Sequence, residues 1–358
     1  MAERRFLLFS GHNDRAVVAL CRFFEQVALP FVIVAAGKAD AIHRTKWASQ
    51  VAFNRLDAVV TVEWLRLLTG SLGGELVYCP TTEFINHFVL THREALAGCG
   101  LHIGLPDRAI YEALTGKHSS QALMTGLCAD LQLPATQPDG QWHAPCVLKP
   151  RENVRAGRVL YPVLCPEVTD LQHALSVLDR SSYFAQDFIK GQSHYLCAYL
   201  ARNGEFASFW QVNLMQQGGG KSIVLAQPCA NPGLDEASLF RGLHERGYHG
   251  AFMLEVIAAQ GRLHYIEVNP RFWGPLQLAL DVCPDILSLF AREQGFDTPA
   301  IVAQRPENAC YAWAYGAQQP GVVVHPAGLA LDARARERRL LAHDVYARDD
   351  TRALQACY

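Results

Sequence analysis

Two apolar runs, Gly250 to Ile257 and Arg262 to Val268, are separated by the turn pair Gln260-Gly261. Both are rich in strand-favouring residues, so the spacing predicts an antiparallel hairpin. Glu255 stands inside the first run, Phe252-Met253-Leu254-Glu255-Val256-Ile257, while Glu267 and Asn269 end the second. Side chains alternate along a strand, so Glu267 and Asn269 share a face, and the hairpin can bring Glu255 beside them. Two carboxylates and an amide oxygen form a hard-oxygen set suited to magnesium, which takes few protein ligands plus substrate phosphates. Either glutamate alone is more often an ion-paired or edge residue. Both together, followed by Asn269-Pro270-Arg271, favour the metal.

The chain upstream reads as strand and helix in alternation. Residues 6–9 are apolar, a helical pattern follows through Ala16, Val17, Leu20, Phe23, Phe24 and Val27, and Phe31-Val32-Ile33-Val34 is a second run. This is a βαβ unit, so a parallel sheet is expected, with further strands near 58–62 and 76–79. Pro106 opens a helix that Gly116 can close, and another runs from Lys117 to about Leu131. Strands are expected at 146–149 and 183–189. Asn203-Gly204 marks a hairpin between strands starting near His194 and Phe206. Helices are expected at about 234–246 and 275–294, and residues 298–358 form a mixed tail packed on the body. The order predicts a multidomain α/β and α+β enzyme: an α/β domain over 1–105, a second domain over 106–295, and a C-terminal segment over 296–358.

Several residues could serve phosphate chemistry. Arg271 can hold phosphate oxygens in a guanidinium fork, although a lone arginine is more often a surface ion pair. Lys149 ends a buried strand and can reach phosphates as a point charge; Lys117, at a helix start, is a weaker candidate. The run Gln216-Gln217-Gly218-Gly219-Gly220-Lys221-Ser222 could fold its N–H groups over phosphate, and a plain hairpin loop explains it equally well. It is not a Walker loop, because Met215 stands where the first glycine belongs. The turn after the first strand, Ser10 to Asp14, lacks a GxGxxG fingerprint. Gln186-Asp187-Phe188-Ile189 reads as a strand end that could offer backbone groups to a flat base.

Bulk properties exclude little but exclude it clearly. The chain has 358 residues, half of them hydrophobic, and a net charge of −2, which gives no global argument for nucleic acid. No run reaches the roughly 18 apolar residues needed to span a bilayer. The eleven cysteines are scattered without a CxxC pair, so reduced thiols in a cytoplasmic protein are expected.

Taken in order, Lys117, Val147-Leu148-Lys149-Pro150, Gln186 to Gly191, the glycine loop, Met253-Leu254-Glu255 and Glu267 to Arg271 resemble the ATP-grasp superfamily. The segment Asn269 to Ala279 is similar to its carboxylate–amine ligase and carbamoyl-phosphate-synthase-like branches. The similarity covers about Lys117 to Asp281. It implies a Rossmann-like preATP-grasp domain followed by an ATP-grasp fold, with a lid at about 117–190 and a larger subdomain at about 191–295. By the family pattern Lys117 and Lys149 contact the phosphates of ATP, Gln186, Asp187, Phe188 and Ile189 line the adenine edge, and Leu254 packs on the base. Glu255, Glu267 and Asn269 hold one or two Mg2+ ions, with Mn2+ left open, and Arg271 and Lys149 are catalytic. Relatives carry a ribose-binding glutamate where this chain has Ser193; His194 is the expected substitute. The segment after Lys149 is charged, so Arg151 or Arg155 is expected to grip phosphate. The implied activity joins a small-molecule carboxylate to an amine through an acyl phosphate, with no nucleic acid or membrane partner; a homodimer is left open. Ammonia or bicarbonate as co-substrate, and a non-catalytic ATP-binding regulator, are the alternatives.

Overall fold

The computed structural model describes residues 4–56, 59–151, 154–155, 158–303 and 309–355. β1 (Arg4–Phe9), α1 (Asp14–Gln26), β2 (Phe31–Ala35), β3 (Val51–Asn54), α2 (Val62–Leu72), β4 (Glu75–Tyr78), α3 (Glu83–Thr91) and β5 (Leu101–His102) build the first unit. Its five strands are parallel in the order β3-β2-β1-β4-β5. This is the Rossmann-like sheet expected. The chain winds outward from β1 on one side, then from β4 on the other. Ligand crevices form where such an order reverses, here between the loops after β1 and β4. The strand expected at 58–62 is not there: β3 lies earlier, Thr61 caps α2 by accepting from the Trp64 N–H, and residues 57–58 fall outside the described residues.

α4 (Arg108–Thr115), α5 (Lys117–Leu127) and β6 (Leu131–Gln132) follow. Next come β7 (Thr136–Gln137), β8 (Cys146–Pro150), the short pair β9 (Val154–Arg155) and β10 (Arg158–Val159), β11 (Val163–Cys165), α6 (Val168–Val177) and β12 (Tyr183–Asp187). β11-β8-β12-β7 form a small antiparallel sheet backed by α6. Residues 117–132, expected with this small sheet, are not part of it. Helix α5 packs against the large sheet described next, and β6 pairs with a strand of that sheet.

β13 (Gln192–Leu200), β14 (Phe206–Gln216), β15 (Ile223–Cys229), α7 (Glu236–Glu245), β16 (Gly250–Ala259) and β17 (Arg262–Asn269) form the larger body. Their strands are the centre of an eight-stranded sheet that also takes in β6, β18 (Tyr311–Ala312) and β19 (Val323–Val324). Helix 275–294 is two helices, α8 (Leu276–Val282) and α9 (Asp285–Glu293), because Pro284 cannot continue the first. One sheet face packs on α5 and α7 through Leu196, Phe252, Leu254 and Val256. The other shares a core with α1, α8 and α9 through Tyr195, Cys197 and Met253. The C-terminal segment joins this body: Arg22 of α1 donates to Asp350 at 2.8 and 2.6 Å and to the Val345 carbonyl. No helix of the described residues is long and apolar enough to cross a membrane.

Candidate active site

Register does most of the positioning. Tyr195 lies opposite Glu255, and Glu255 lies directly opposite Glu267. Like charges paired across a ladder are destabilising. Here one of them is also buried: Glu255 is 6% exposed. Burial first, and the Glu267 charge second, push its pKa up to about 8. A divalent cation between the two would remove the conflict, and the available donors are all hard oxygens, so the residues fit magnesium.

Beyond this pair the register slips. Val256 faces Tyr265, which leaves Ile266 unmatched on β17. Such an irregularity re-aims the backbone near a site. The Ile266 carbonyl turns to the cleft and accepts from Lys149 Nζ at 3.2 Å. Lys149 comes from β8 of the small sheet and is 8% exposed. Burial pulls its pKa down to about 8, with Glu267 and Glu255 opposing. Lys117, the first residue of α5, places Nζ 3.8 Å from Glu267 Oε2. Asn269 Nδ2 donates to Glu267 Oε1 at 2.7 Å, and Arg271 donates to Asn269 Oδ1 at 3.4 Å and to the Phe272 carbonyl at 3.0 Å. Six of the residues singled out in sequence thus converge: Lys117, Lys149, Glu255, Glu267, Asn269 and Arg271.

Cation binding at Glu255 would be pH-dependent. Its folded pKa lies above the ordinary 4.5, so from there to about 8 the folded chain holds the extra proton and loses stability as pH rises. Below that upper value a cation must displace the proton. The Mg2+-induced rise in unfolding temperature is expected to be larger at about pH 9 than at about pH 6. Equal shifts would remove Glu255 from the ligand set.

The expected adenine edge, Gln186–Ile189, is tied down by its side chains. Gln186 is 1% exposed; its Nε2 donates to the Pro134 carbonyl at 3.2 Å and its Oε1 accepts from Gln121 at 3.4 Å. Asp187 accepts from Gln137 Nε2 at 2.8 Å. Phe188 and Ile189 lie beyond the end of β12 and are half-buried. The Asp187 and Phe188 N–H groups donate to the Ala135 and Pro145 carbonyls at 2.9 and 3.2 Å.

Two residues assigned to the nucleotide face away from the acids. Leu254 is fully buried in the core beneath the sheet with Leu196 and Val256, because it precedes Glu255 and strand neighbours point to opposite faces. His194 follows Ser193, whose hydroxyl is on the Glu255 side, so its ring lies on the far face with Nδ1 3.1 Å from the Gln192 carbonyl. The residue with the geometry expected of Leu254 is Ile257. It is two positions after Glu255, half-buried, and so close to Gly191 that a Cβ there would fall 2.6 Å from its Cγ2. The period-2 rule applied to Glu255 would have found it.

Of the two phosphate-gripping candidates, one is engaged elsewhere and the other is not described. Arg151 pairs with Asp139 at 3.0 and 2.9 Å, and the side chain of Arg155 falls outside the described residues. The glycine loop is the β14–β15 turn. Gly219 and Gly220 take positive φ (77° and 70°), and a Cβ on Gly218 would sit 2.7 Å from the Gly321 carbonyl. Those constraints account for its glycines. Sequence reasoning also missed Glu83, which opens α3 in the crevice after β4. Burial alone would raise its pKa, but His87, Arg271 and Lys117 hold it below the usual range.

An N-terminal parallel sheet, a small antiparallel sheet and a large sheet whose hairpin carries the acids constitute the ATP-grasp fold. Solved structures agree with that architecture. The biotin carboxylase domain of Hydrogenobacter thermophilus 2-oxoglutarate carboxylase, in complex with MgADP, ADP and bicarbonate, is 15% identical with a TM-score of 0.60, covering 85% of this chain and 72% of that one. Biotin carboxylase from Campylobacter jejuni is 11% identical with a TM-score of 0.58, covering 83% and 72%. The N5-carboxyaminoimidazole ribonucleotide synthetase of Thermus thermophilus is 18% identical with a TM-score of 0.56, covering 82% and 79%. No protein-family model matches the sequence, and no curated protein does.

Proposed function

We propose that this chain is an ATP-dependent ligase that activates a carboxylate as an acyl phosphate for attack by an amine, releasing ADP and phosphate. The observation that carries this reading is the convergence of Lys117, Lys149 and Arg271 on the opposed pair Glu255 and Glu267. Cations alone would suit any anion. Cations set around two cross-strand acids suit a phosphate chain that arrives with its own divalent metal.

Glu255, Glu267 and Asn269 would hold Mg2+, or Mn2+, which would neutralise charge on the β- and γ-phosphates. Lys149, from the small sheet, and Lys117, from α5, bind phosphate oxygens from two sides and fix the nucleotide between the sheets. Arg271 stabilises the charge on the transferred phosphoryl group. No enzyme nucleophile is required; the work is positioning and charge neutralisation. The stretch Gln186–Ile189 offers its backbone, and Ile257 an apolar surface, to adenine. The ten described cysteines are free thiols, in keeping with a cytoplasmic setting.

ATP, Mg2+ and a panel of small carboxylates are incubated with and without amines, and phosphate release is measured. Phosphate release that requires both a carboxylate and an amine supports the reading. Release with bicarbonate in place of the panel carboxylates places the chain with carboxylases instead. Tight ATP binding with no release on any substrate identifies a non-catalytic regulator.

A further inference from the structure

Glu255 is held from behind by a chain of buried side chains that phosphate chemistry does not use. Ser193 Oγ donates to Glu255 Oε1 at 3.0 Å. Asn213 Nδ2 donates to Ser193 Oγ at 2.8 Å, and Gln211 Nε2 donates to Asn213 Oδ1 at 2.8 Å. The Cys197 thiol donates to Gln211 Oε1 at 3.8 Å. Ser193 is 1% exposed and the other three are fully buried. Every donor points toward the glutamate, so the relay has one direction and ends on one carboxylate oxygen. It is also braced. Gln192 Nε2 donates to the Asn213 carbonyl at 2.6 Å, and Gln192 Oε1 accepts from the Ala327 N–H at 2.6 Å. The C-terminal segment thereby supports the strand that carries Asn213.

Apolar residues of the same shape would leave the core about as stable, because paired buried polar groups gain little net free energy. The consequence of the relay lies in its last link. We propose that Ser193, Asn213 and Gln211 set the metal preference of the site, favouring magnesium over calcium. With Oε1 hydrogen-bonded to Ser193, a cation would meet Glu255 chiefly through Oε2, and bidentate ligation would compete with that bond. Magnesium demands a compact octahedral shell of single oxygens, whereas calcium takes six to eight oxygens at longer distance and readily uses carboxylates bidentately. A pinned carboxylate satisfies the first and starves the second. The three residues are positioning residues, acting on the cation through Glu255. The inference rests on the metal reading above.

The test titrates MgCl2 or CaCl2 against the full chain in the presence of a non-hydrolysable ATP analogue and follows the unfolding temperature. Ser193→Ala frees Oε1, and the ratio of calcium to magnesium affinity is expected to rise roughly tenfold, the low end of the affinity change that loss of a partner behind a metal ligand brings. Gln211→Leu, three links from the carboxylate, shifts the ratio the same way by less. It also serves as the test should Ser193→Ala fail to fold. A merely structural role would lower the cation-free unfolding temperature and weaken both ions alike. An unchanged ratio in folded Ser193→Ala and Gln211→Leu protein, with magnesium still binding the native chain, overturns the relay proposal alone. No magnesium response in the native chain overturns the metal reading and the relay together.

Discussion

Glu267→Gln is expected to lower ATP-dependent phosphate release by about 1,000-fold while leaving the protein folded. Glu267 is the hub of the cleft: it opposes Glu255, accepts from Asn269 at 2.7 Å and lies 3.8 Å from Lys117. The amide keeps the shape of the side chain and its place on β17. What it removes is the charge that would hold a divalent cation against the phosphates. Such a cation is worth several kcal/mol of transition-state stabilisation, and each 1.36 kcal/mol is tenfold in rate. The unfolding temperature of the variant without metal should hold or rise, because a like-charge cross-strand pair is gone. Turnover and unfolding temperature measured on one preparation check both halves. Unchanged turnover would refute the metal assignment.

Lys149→Met should cost about 100-fold in kcat/KM for ATP, the effect of removing one preorganised charge from a phosphoryl-transfer site. Methionine keeps much of the apolar stem and leaves the Ile266 carbonyl without its donor. Stability should change little, since a buried ammonium is itself costly. The wild-type pH profile carries a matching signature. The folded pKa of Lys149 lies below the ordinary 10.5, at about 8, so its buried charge weakens the fold below that point and the penalty fades as pH rises to the upper value. Phosphate binding needs the charged form, so KM for ATP should climb above about pH 8 in the wild type and not in Lys149→Met. A wild-type profile flat to higher pH would place Lys149 away from the phosphates.

The sequence showed the acidic hairpin, the first βαβ unit and the order of cationic residues, because each rests on local rules. Period-2 alternation puts Glu267 and Asn269 on one face, and Asn203-Gly204 makes a hairpin with Gly204 at φ 86°. Alternation was not carried through everywhere. Applied to Glu255 and Ser193, it turns Leu254 and His194 to the far face and brings Ile257 forward. What could not be read were pairings distant in sequence. Hairpin register brings Glu255 to Glu267 and Ser193 to Asn213, but Lys117 reaches Glu267 from α5 and Arg151 finds Asp139 outside any motif. The C-terminal segment is the extreme case. Nothing near Ala327 signals that its N–H fixes Gln192, and through it the strand behind Glu255. The place of α5 was hidden for the same reason: it looks like the start of a new unit, yet its apolar face belongs to the large sheet.

The most direct test of carboxylate activation follows an oxygen atom. The accepted carboxylate is prepared with both oxygens as oxygen-18, and the phosphate released during turnover with ATP, Mg2+ and amine is analysed by mass spectrometry. An acyl phosphate requires one labelled oxygen to leave with the phosphoryl group, so each phosphate should carry one heavy atom. Phosphate containing only oxygen from ATP and solvent, with product still forming, would contradict the account.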